Sequence, residues 1–371
     1  MKSKKKRTRR CLIAIGCILA AFLLLGGAAA AVLHFYKPTP GGDVPFHGAE
    51  EYTKDGGTYQ FLLIGYDRLA SLADVVMLVS LDTGAHTLSV MQFPRDTYIE
   101  TAAGLGKPKI NASFAYDLKH TVDGDTLRAA EKLAIDLEKT LCVDIDYAAV
   151  IDLDGFAAAI DTLLPGGIPI EVPYDLDYED PEQDLYIHLP AGHNVLDGKG
   201  AEQFVRFRSG FALADIGRVD AQKNFLAALF AECRRALADM NVAMLTSLIG
   251  DVLPKMQTNV SLLDAVFFAR EVLRLDPASM TMMTAPGEAS RSDEGTWYYQ
   301  INREDIRTAI NLYFNVFDVE ISDIRFDEDY ALADEHDKTL LPLYLDESGK
   351  YLKVYTAAGI EGEPIPIRPK S

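Results

Sequence analysis

Residues 59–66 read YQFLLIGY, and Asp67 and Arg68 follow them directly. A short, continuous apolar run that closes on a glycine is typical of a strand buried on both faces, because a half-exposed strand would alternate apolar and polar residues. The run therefore predicts a strand of a covered sheet. It also places one carboxylate and one guanidinium where that strand ends.

Outward from this strand, apolar runs alternate with segments of helical period. Further strands are predicted at residues 75–81, 87–93 and 144–153. Apolar residues at helical spacing predict helices at residues 125–141, 197–207, 219–239, 241–254 and 261–274. Apolar strands interleaved with helices predict an α/β fold whose sheet is covered by helices on both faces.

The composition is globular, but the charge is uneven. Hydrophobic residues make up 49% and charged residues 25% of the 371 residues, and the formal net charge is −19. Seven of the 36 Lys and Arg lie in residues 1–10, which leaves 29 basic against 55 acidic residues in the rest of the chain. A body this acidic lacks the basic face that phosphate contacts need, so we expect no nucleic-acid partner.

A long apolar segment follows the basic residues 1–10. Residues 11–33 carry no charge, and a helix of that length spans about 34 Å, enough for a hydrocarbon core of about 30 Å. We predict a transmembrane helix at residues 11–36, then a Pro- and Gly-rich linker at residues 37–57. The positive-inside rule predicts a single-pass cell-membrane protein with its N-terminus cytoplasmic and its body outside. A signal peptide cleaved at residues 28–31 is the alternative.

Several kinds of site have no support in the sequence. It contains no HExxH, GxSxG, P-loop or CxxC pattern, which argues against zinc, serine-hydrolase, nucleotide and thiol-redox chemistry. Cys142 and Cys233 are the cysteines of the body. We expect two separate buried thiols, with a disulfide between them as the alternative.

Charged residues cluster where the predicted strands end. Asp67 follows the first strand, Asp74 opens the second, and Arg95 and Asp96 follow the third. Ligands of open α/β sheets bind beyond the carboxyl ends of the strands, so we expect Asp67 to share a site with Arg95 and Asp96. Each residue alone would be a turn or capping residue, but three such signals close together favour a site.

A second cluster lies in residues 204–222, FVRFRSGFALADIGRVDAQ. Arg206 and Arg208 are two residues apart, which in an extended segment points both side chains to one face. Arg218 and Gln222 are four apart and share a helix face near a helix N-terminus, the end that attracts anions. Arginine forks suit phosphate, and nearby carboxylates would hold Mg²⁺ against it. Ion-paired surface arginines and a glycosidase carboxylate pair are the alternatives, and the latter would not require the arginines.

Taken in order along the chain, these motifs resemble those of the LytR–CpsA–Psr (LCP) family of cell-wall glycopolymer ligases. They are Gly65-Tyr66-Asp67, residues 74–80, residues 93–98, Lys109-Ile110-Asn111, residues 205–208, residues 215–218 with Gln222, and residues 295–299. The likeness covers residues 58–315 and leaves residues 316–371 as a small acidic C-terminal extension. It implies a central mixed sheet sandwiched between helices, with a lipid tail in an apolar tunnel.

The resemblance implies a phosphotransferase that depends on Mg²⁺ or Mn²⁺. Such an enzyme transfers an anionic glycopolymer, of teichoic acid or capsular type, from an undecaprenyl-pyrophosphate carrier to peptidoglycan, forming a phosphodiester. The catalytic residues it implies are Asp67, Asp74, Arg95, Arg206, Arg208, Asp215 and Arg218. Of these, Asp67 and Asp74 would bind the metal. The pyrophosphate would be contacted by Arg68, Arg95, Lys109, Arg206, Arg208, Arg218 and Gln222.

One position departs from the family pattern. The arginine that usually precedes the second-strand aspartate is missing from Ser71-Leu72-Ala73-Asp74, and the nearest arginine is Arg68. Either Arg68 reaches the same space, or the site has one phosphate contact fewer. The departure leaves two alternatives to a transferase: a non-catalytic envelope protein that binds polyprenyl phosphate, and a hydrolase of the pyrophosphate lipid.

Overall fold

The structure is a computed structural model. It describes residues 36–38, 56–68, 71–99, 109–172, 174–181, 185–207, 215–275, 279–291, 295–317, 320–321 and four short stretches between residues 341 and 366. The predicted transmembrane helix, apart from Tyr36, and most of the linker lie outside these residues. Within the described part of the chain, no helix combines the length and apolar character that a membrane crossing requires.

The described residues form sixteen strands and eight α-helices. The strands are β1 (Thr58–Asp67), β2 (Leu72–Asp82), β3 (Thr87–Phe93), β4 (Tyr147–Asp152), β5 (Ile168–Val172), β6 (Leu176–Asp180), β7 (Leu185–Leu189), β8 (Gly192–Leu196), β9 (Gln257–Thr258), β10 (Met280–Thr284), β11 (Gly287–Arg291), β12 (Trp297–Ile301), β13 (Leu341–Pro342), β14 (Tyr351–Leu352), β15 (Val354–Thr356) and β16 (Ile365–Pro366). The helices are α1 (Ile110–His120), α2 (Thr126–Leu141), α3 (Leu153–Leu163), α4 (Gly198–Arg206), α5 (Asp215–Leu237), α6 (Val242–Val252), α7 (Leu262–Arg274) and α8 (Arg303–Tyr313). Every predicted strand and helix is present, so these predictions are confirmed.

A seven-stranded mixed sheet lies at the centre, in the order β15-β10-β3-β2-β1-β4-β9. β1 is parallel to β4 and β3 to β10, while β2 is antiparallel to both of its neighbours. The carboxyl ends of β1, β3, β4 and β10 and the start of β2 therefore meet at one edge of the sheet. This edge carries the candidate site.

Helices cover both faces of the sheet, as the apolar strands predict. On one face, Leu62 and Ile64 of β1 belong to a large core formed with α1, α2 and α8. On the other face, Tyr59 and Phe61 pack edge-on against Phe268 of α7, with ring centroids 5.1 and 4.8 Å apart. The chain thus has the central mixed sheet flanked by helices that the family resemblance implies.

Four further strands form two antiparallel pairs outside the central sheet. β5 pairs with β8 and β6 with β7. Apolar side chains of these strands pack with α3, α4 and α5 in a second core that includes Ile168, Ile187, Phe204 and Phe225. This core fixes α4, whose last residue is Arg206.

Two short strands of the C-terminal extension pair with strands of the main body. β15 pairs antiparallel with β10 at the edge of the central sheet, and β13 pairs antiparallel with β11. Part of the C-terminal extension therefore completes sheets of the main body.

Cys142 and Cys233 are separate thiols, as expected. Cys142 lies in the large core and Cys233 packs against the second core. Burial raises the pKa of the Cys142 thiol to about 12 and that of the Cys233 thiol to about 11.

Candidate functional site

A β-bulge sets the position of Asp74. Gly65 pairs with Val75, but the next residue, Tyr66, pairs with Ala73, so Asp74 is the extra residue of β2. A bulge next to a site re-aims a side chain and increases the local strand twist. Glycine suits this point because a Cβ at Gly65 would lie 3.1 Å from the Cβ of Val75. The sequence prediction that Asp74 opens its strand is wrong by two residues, since β2 begins at Leu72.

The turn that carries Arg95 and Asp96 is held by backbone hydrogen bonds. The amide of Thr97 donates to the carbonyl of Pro94, and the amide of Asn111 donates to the carbonyl of Arg95. From β12, the amide of Tyr299 donates to the carbonyl of Asp96 at 2.9 Å. The turn is therefore fixed on three sides, which orients both charged side chains.

These charged side chains pair at the sheet edge. Nη1 of Arg95 donates to Oδ1 of Asp74 at 3.1 Å, and Nζ of Lys109 donates to Oδ1 of Asp96 at 2.7 Å. Lys109 also lies 5.2 Å from the centre of the Tyr298 ring. The four paired side chains are between 15% and 27% exposed, so their charges are partly desolvated but remain accessible to a ligand. The topology thus brings together charged residues that follow different strands.

An apolar cavity opens beside this charged edge. Its volume is about 390 Å³, and it lies between β1, β2 and β4 on one side and α3 and α5 on the other. Leu63, Met77, Phe156, Phe225 and Leu226 are among the apolar side chains that line it. Asp67, Asp74 and Arg206 line the same cavity. One space therefore offers an apolar interior together with two carboxylates and a guanidinium.

Arg206 reaches the cavity from a helix. It is the last residue of α4 and lies within the helix predicted at residues 197–207, so the alternative of an extended segment, in which Arg206 and Arg208 would share one face, does not hold at Arg206. The reason is that Phe204 packs into the second core, which keeps the helix intact to that point. Nη1 of Arg206 donates to Oε1 of Glu202 at 3.0 Å, one helical turn earlier, and its side chain is 15% exposed.

The rest of the second cluster cannot be placed in the same way. Arg208 lies outside the described residues. α5 begins at Asp215, so Arg218 is in its first turn as predicted, and Gln222 is one turn later. The side chains of Asp215, Arg218 and Gln222 lie outside the described part of the chain, and their roles stay predictions.

Arg68 lies outside the apolar cavity, in a neighbouring polar cleft. Its Nη2 donates to Oδ2 of Asp154 at 2.9 Å, and its Nη1 lies 3.7 Å from Oδ2 of Asp152. The side chain is 65% exposed and lines a polar cleft that also includes Lys255 and Gln257. Arg68 is not among the residues that line the apolar cavity.

Asp152 is a candidate that the sequence reasoning missed. It ends β4 beside β1 and lines both the apolar cavity and the polar cleft. Its Oδ1 accepts from the amide of Gly155 and so caps α3. Burial, together with the Asp152 carboxylate, raises the pKa of the Tyr66 phenol, which keeps that neighbour neutral. The strand-end rule that selected Asp67 would have selected Asp152 as well.

The two predicted metal ligands fit a magnesium ion. Mg²⁺ prefers oxygen ligands and is usually held by one or two carboxylates together with substrate phosphates. Asp67 and Asp74 line the same cavity and supply two such carboxylates. Among the described residues, no group of three or more His, Cys, Asp or Glu is placed to hold a metal. The donor set therefore suits a metal that phosphate oxygens help to bind.

Comparison with known proteins identifies the class. The sequence model of the LytR_cpsA_psr family matches residues 38–313. The chain belongs to this family, which confirms the resemblance.

Three relatives illustrate its neighbours in sequence. The regulatory protein MsrR of Staphylococcus aureus is 31% identical over 193 residues, 51% of this chain and 54% of MsrR. TagV of Bacillus subtilis, a polyisoprenyl-teichoic acid–peptidoglycan teichoic acid transferase, is 28% identical over 52% of this chain and 46% of TagV. TagU of Oceanobacillus iheyensis, which has the same transferase name, is 24% identical over 82% of this chain and 93% of TagU. The matches to MsrR and TagV span about half the length of each protein.

Solved structures share the fold. TagV of Bacillus subtilis superimposes with a TM-score of 0.56 and 24% identity, covering 69% of this chain and 96% of TagV. TagT bound to LIIa-WTA superimposes with a TM-score of 0.53 and 22% identity, covering 75% of this chain and 92% of TagT. At these identities the likeness shows the fold alone.

Proposed function

We propose that this protein transfers an anionic glycopolymer from an undecaprenyl-pyrophosphate carrier to peptidoglycan. The observation that carries the proposal is the apolar cavity with Asp67, Asp74 and Arg206 in its lining. A polyprenyl pyrophosphate has a long apolar tail and a doubly phosphorylated head, and a cavity of this composition suits both parts. The relatives named as teichoic acid transferases support a polymer of that type, with a capsular polymer as the alternative.

In the proposed reaction, a sugar hydroxyl of peptidoglycan attacks the phosphorus that carries the glycan. The new P–O bond forms as the bond to polyprenyl phosphate breaks, and polyprenyl phosphate leaves. The hydroxyl proton passes to a carboxylate or to water. Phosphoryl transfer demands mainly positioning and charge stabilisation, so no nucleophilic side chain is needed.

The described residues divide this work. Arg206 and Arg95 would contact phosphate oxygens, and Asp74 orients Arg95 through their 3.1 Å hydrogen bond. The candidate general bases are Asp67, Asp74, Asp96 and Asp215. Asp67 and Asp74 line the cavity, Asp96 and Arg95 lie outside its lining, and the side chain of Asp215 lies outside the described residues. When bound at these two carboxylates, Mg²⁺ or Mn²⁺ would neutralise charge on the phosphates.

The polymer carrier and the acceptor meet outside the cell membrane. A single-pass anchor at residues 11–36, with the N-terminus cytoplasmic, would hold the body there. The polar cleft lined by Arg68 and Lys255 shares Tyr66 and Asp152 with the apolar cavity, and it offers hydrogen bonds to a saccharide beside the pyrophosphate.

The test uses the full-length chain in detergent, with a polyprenyl-pyrophosphate-linked saccharide and peptidoglycan oligomers, with and without Mg²⁺. Mass spectrometry of the glycan should show a phosphodiester adduct that requires the metal. Asp74→Asn, which keeps the shape of the side chain and removes its charge, should shift the metal titration to higher concentration.

The alternatives give different products. If the protein binds the lipid but forms no adduct, while a known ligase forms the adduct under the same conditions, the protein is the non-catalytic, lipid-binding alternative. Release of a phosphorylated sugar without an adduct would show the hydrolase. An unchanged metal titration for Asp74→Asn would contradict its role as a ligand.

A further inference from the structure

The point where the chain joins the folded body is tied to α7. The hydroxyl of Tyr36 donates a hydrogen bond of 2.6 Å to Oδ1 of Asp264, and Pro38 is buried two residues later. Asp264 is itself held, because its Oδ2 accepts from Oγ of Ser261 at 2.7 Å in the capping box of α7. The N-terminal segment therefore meets the body at the first turn of this helix.

Chain length limits how far this turn can lie from the apolar segment. The uncharged run ends at Leu33, and only His34 and Phe35 separate it from Tyr36. An extended residue spans at most about 3.6 Å, so Tyr36 lies within about 11 Å of the end of that run. If residues 11–36 span the bilayer as proposed above, the first turn of α7 lies at the level of the lipid headgroups.

The side chains at this turn suit that position. Leu262 and Leu263, the first two residues of α7, are 39% and 46% exposed although both are apolar. The Tyr36 side chain is half-buried and is hydrogen-bonded to Asp264, the residue that follows Leu263. Lys37 is exposed. Leucines enter the acyl boundary, whereas tyrosine and lysine are typical of the interface, where their polar ends meet water and headgroups.

Helix α7 connects this turn to the part of the sheet that lies beside the cavity. Phe268 of α7 packs on Phe61 of β1, and Leu63, two residues further along β1, lines the cavity. Asp67 at the end of β1 lines its charged end. The apolar end of the cavity therefore lies toward α7, which is the side from which a tail longer than the cavity would leave.

We propose that the first turn of α7, with Leu262, Leu263, Tyr36 and Lys37, is a membrane-contacting surface. It holds the body on the outer leaflet, so that the part of the polyprenyl tail beyond the cavity stays in lipid. The proposal rests on the proposed membrane anchor. It adds the face of the body that touches the bilayer and the direction in which the tail leaves.

Quenching by brominated lipid tests the surface. In a Trp297→Phe background, Leu263→Trp and Leu312→Trp each give the full-length chain one tryptophan, because Trp297 is its sole native tryptophan. Leu312 is a matched control, since it is 58% exposed on α8, which packs on the opposite face of the sheet. Each variant is reconstituted separately into vesicles of phosphatidylglycerol and phosphatidylethanolamine, with or without bromine on the acyl chains, and its tryptophan fluorescence is measured. We expect strong quenching for Leu263→Trp and little for Leu312→Trp.

Each outcome has a separate meaning. Equal quenching of the two variants would overturn the surface. A flotation assay on the same samples tests the anchor, and chains that do not float would overturn both the anchor and the surface. Quenching confined to Leu263→Trp together with an absence of transfer would support the surface and count against the proposed function.

A second variant links the surface to turnover. Leu262→Asp with Leu263→Asp places charges on exposed positions, so we expect the fold to remain. This variant should lose transfer from a full-length lipid in vesicles and keep transfer from a short-chain, water-soluble pyrophosphate lipid. Unchanged transfer from the vesicle-bound lipid would contradict the proposal.

Discussion

On strand β1, Leu62 and Ile64 are 0% and 1% exposed, whereas Leu63 between them is 36% exposed. Successive side chains of a strand point to opposite faces, so these residues compare the two faces of one sheet. One face is filled by α1, α2 and α8, and the other leaves a cavity of about 390 Å³. The sequence is equally apolar on both sides of the strand.

The comparison separates stability from function. A filled face contributes packing contacts along its whole area, while an open face leaves part of its apolar lining in contact with water. The open face also carries Asp67, Asp74 and Arg206 in the lining of its cavity. Under the proposed function, the apolar tail of the lipid carrier occupies this open face, and four predictions test the contrast between the two faces.

The largest effect is expected at the charged end of the open face. Arg206→Ala should lower kcat/KM for transfer by about 10²–10³-fold, because it removes a charged donor from a partly desolvated site. The free energy of unfolding should change little. Initial rates with the lipid-linked saccharide, together with urea denaturation, measure both quantities.

Lys199→Ala is the matched control for Arg206→Ala. Lys199 also pairs with Glu202, at 2.9 Å, but its side chain is 64% exposed and lies outside the cavity lining. Transfer should stay within a few-fold of the wild-type rate. An equal loss in both variants would show that the state of Glu202, rather than the Arg206 guanidinium, controls transfer.

The second prediction contrasts the two faces directly. Leu62→Ala should lower the free energy of unfolding by about 2–5 kcal/mol, since it leaves a void in the filled core. Leu63→Ala should lower it by less than about 1 kcal/mol, because that side chain is already partly exposed. Leu63→Ala should instead weaken binding of the polyprenyl lipid. Similar losses of stability in the two variants would contradict the contrast.

The third prediction concerns the thiol in the filled core. Burial raises the pKa of Cys142 to about 12 from the ordinary value of 9.0, so the unfolded chain loses the thiol proton first as the pH rises. The contribution of the Cys142 thiol to the free energy of unfolding therefore has its full value below about pH 9 and declines between about pH 9 and pH 12. Urea denaturation at pH 8 and pH 10 should show a smaller decline for Cys142→Ala. The same decline in both proteins would assign it to other groups.

The smallest effect is expected at Arg68. Its guanidinium is 65% exposed and paired with Asp154, an arrangement that contributes about 0–1 kcal/mol. Arg68→Ala should therefore lower kcat/KM only a few-fold. A loss as large as that of Arg206→Ala would instead mean that Arg68 replaces the arginine missing before Asp74.

The elements and the edge that carries the site could be predicted from the sequence. Apolar runs and helical periods are local signals, and β1 to β4 as well as α2 and α4 to α7 appear where these signals place them. The rule that ligands bind at strand ends predicts that Asp67 shares a site with Arg95 and Asp96. In the structure Arg95 pairs with Asp74, and Asp74 and Asp67 line the same cavity.

Features that depend on long-range packing could not be predicted. The apolar pattern of β1 is the same whether a face is filled or open, so the cavity left no signal in residues 59–66. The bulge at Asp74 is a property of the pairing with Gly65, not of either strand. β6 and β7 were missed because exposed residues, many of them polar, alternate with buried ones along these strands, and neither strand contains a continuous apolar run.

The bond from the Tyr299 amide to the Asp96 carbonyl has a consequence for biosynthesis. A chain is made from its N-terminus, so the turn that carries Arg95 and Asp96 is complete only after β12 has been synthesised. A nascent chain that ends before residue 297 would hold nearly all the charged residues of the site and lack the strand that fixes their orientation. The geometry of the charged edge is therefore completed only when synthesis of the domain is nearly finished.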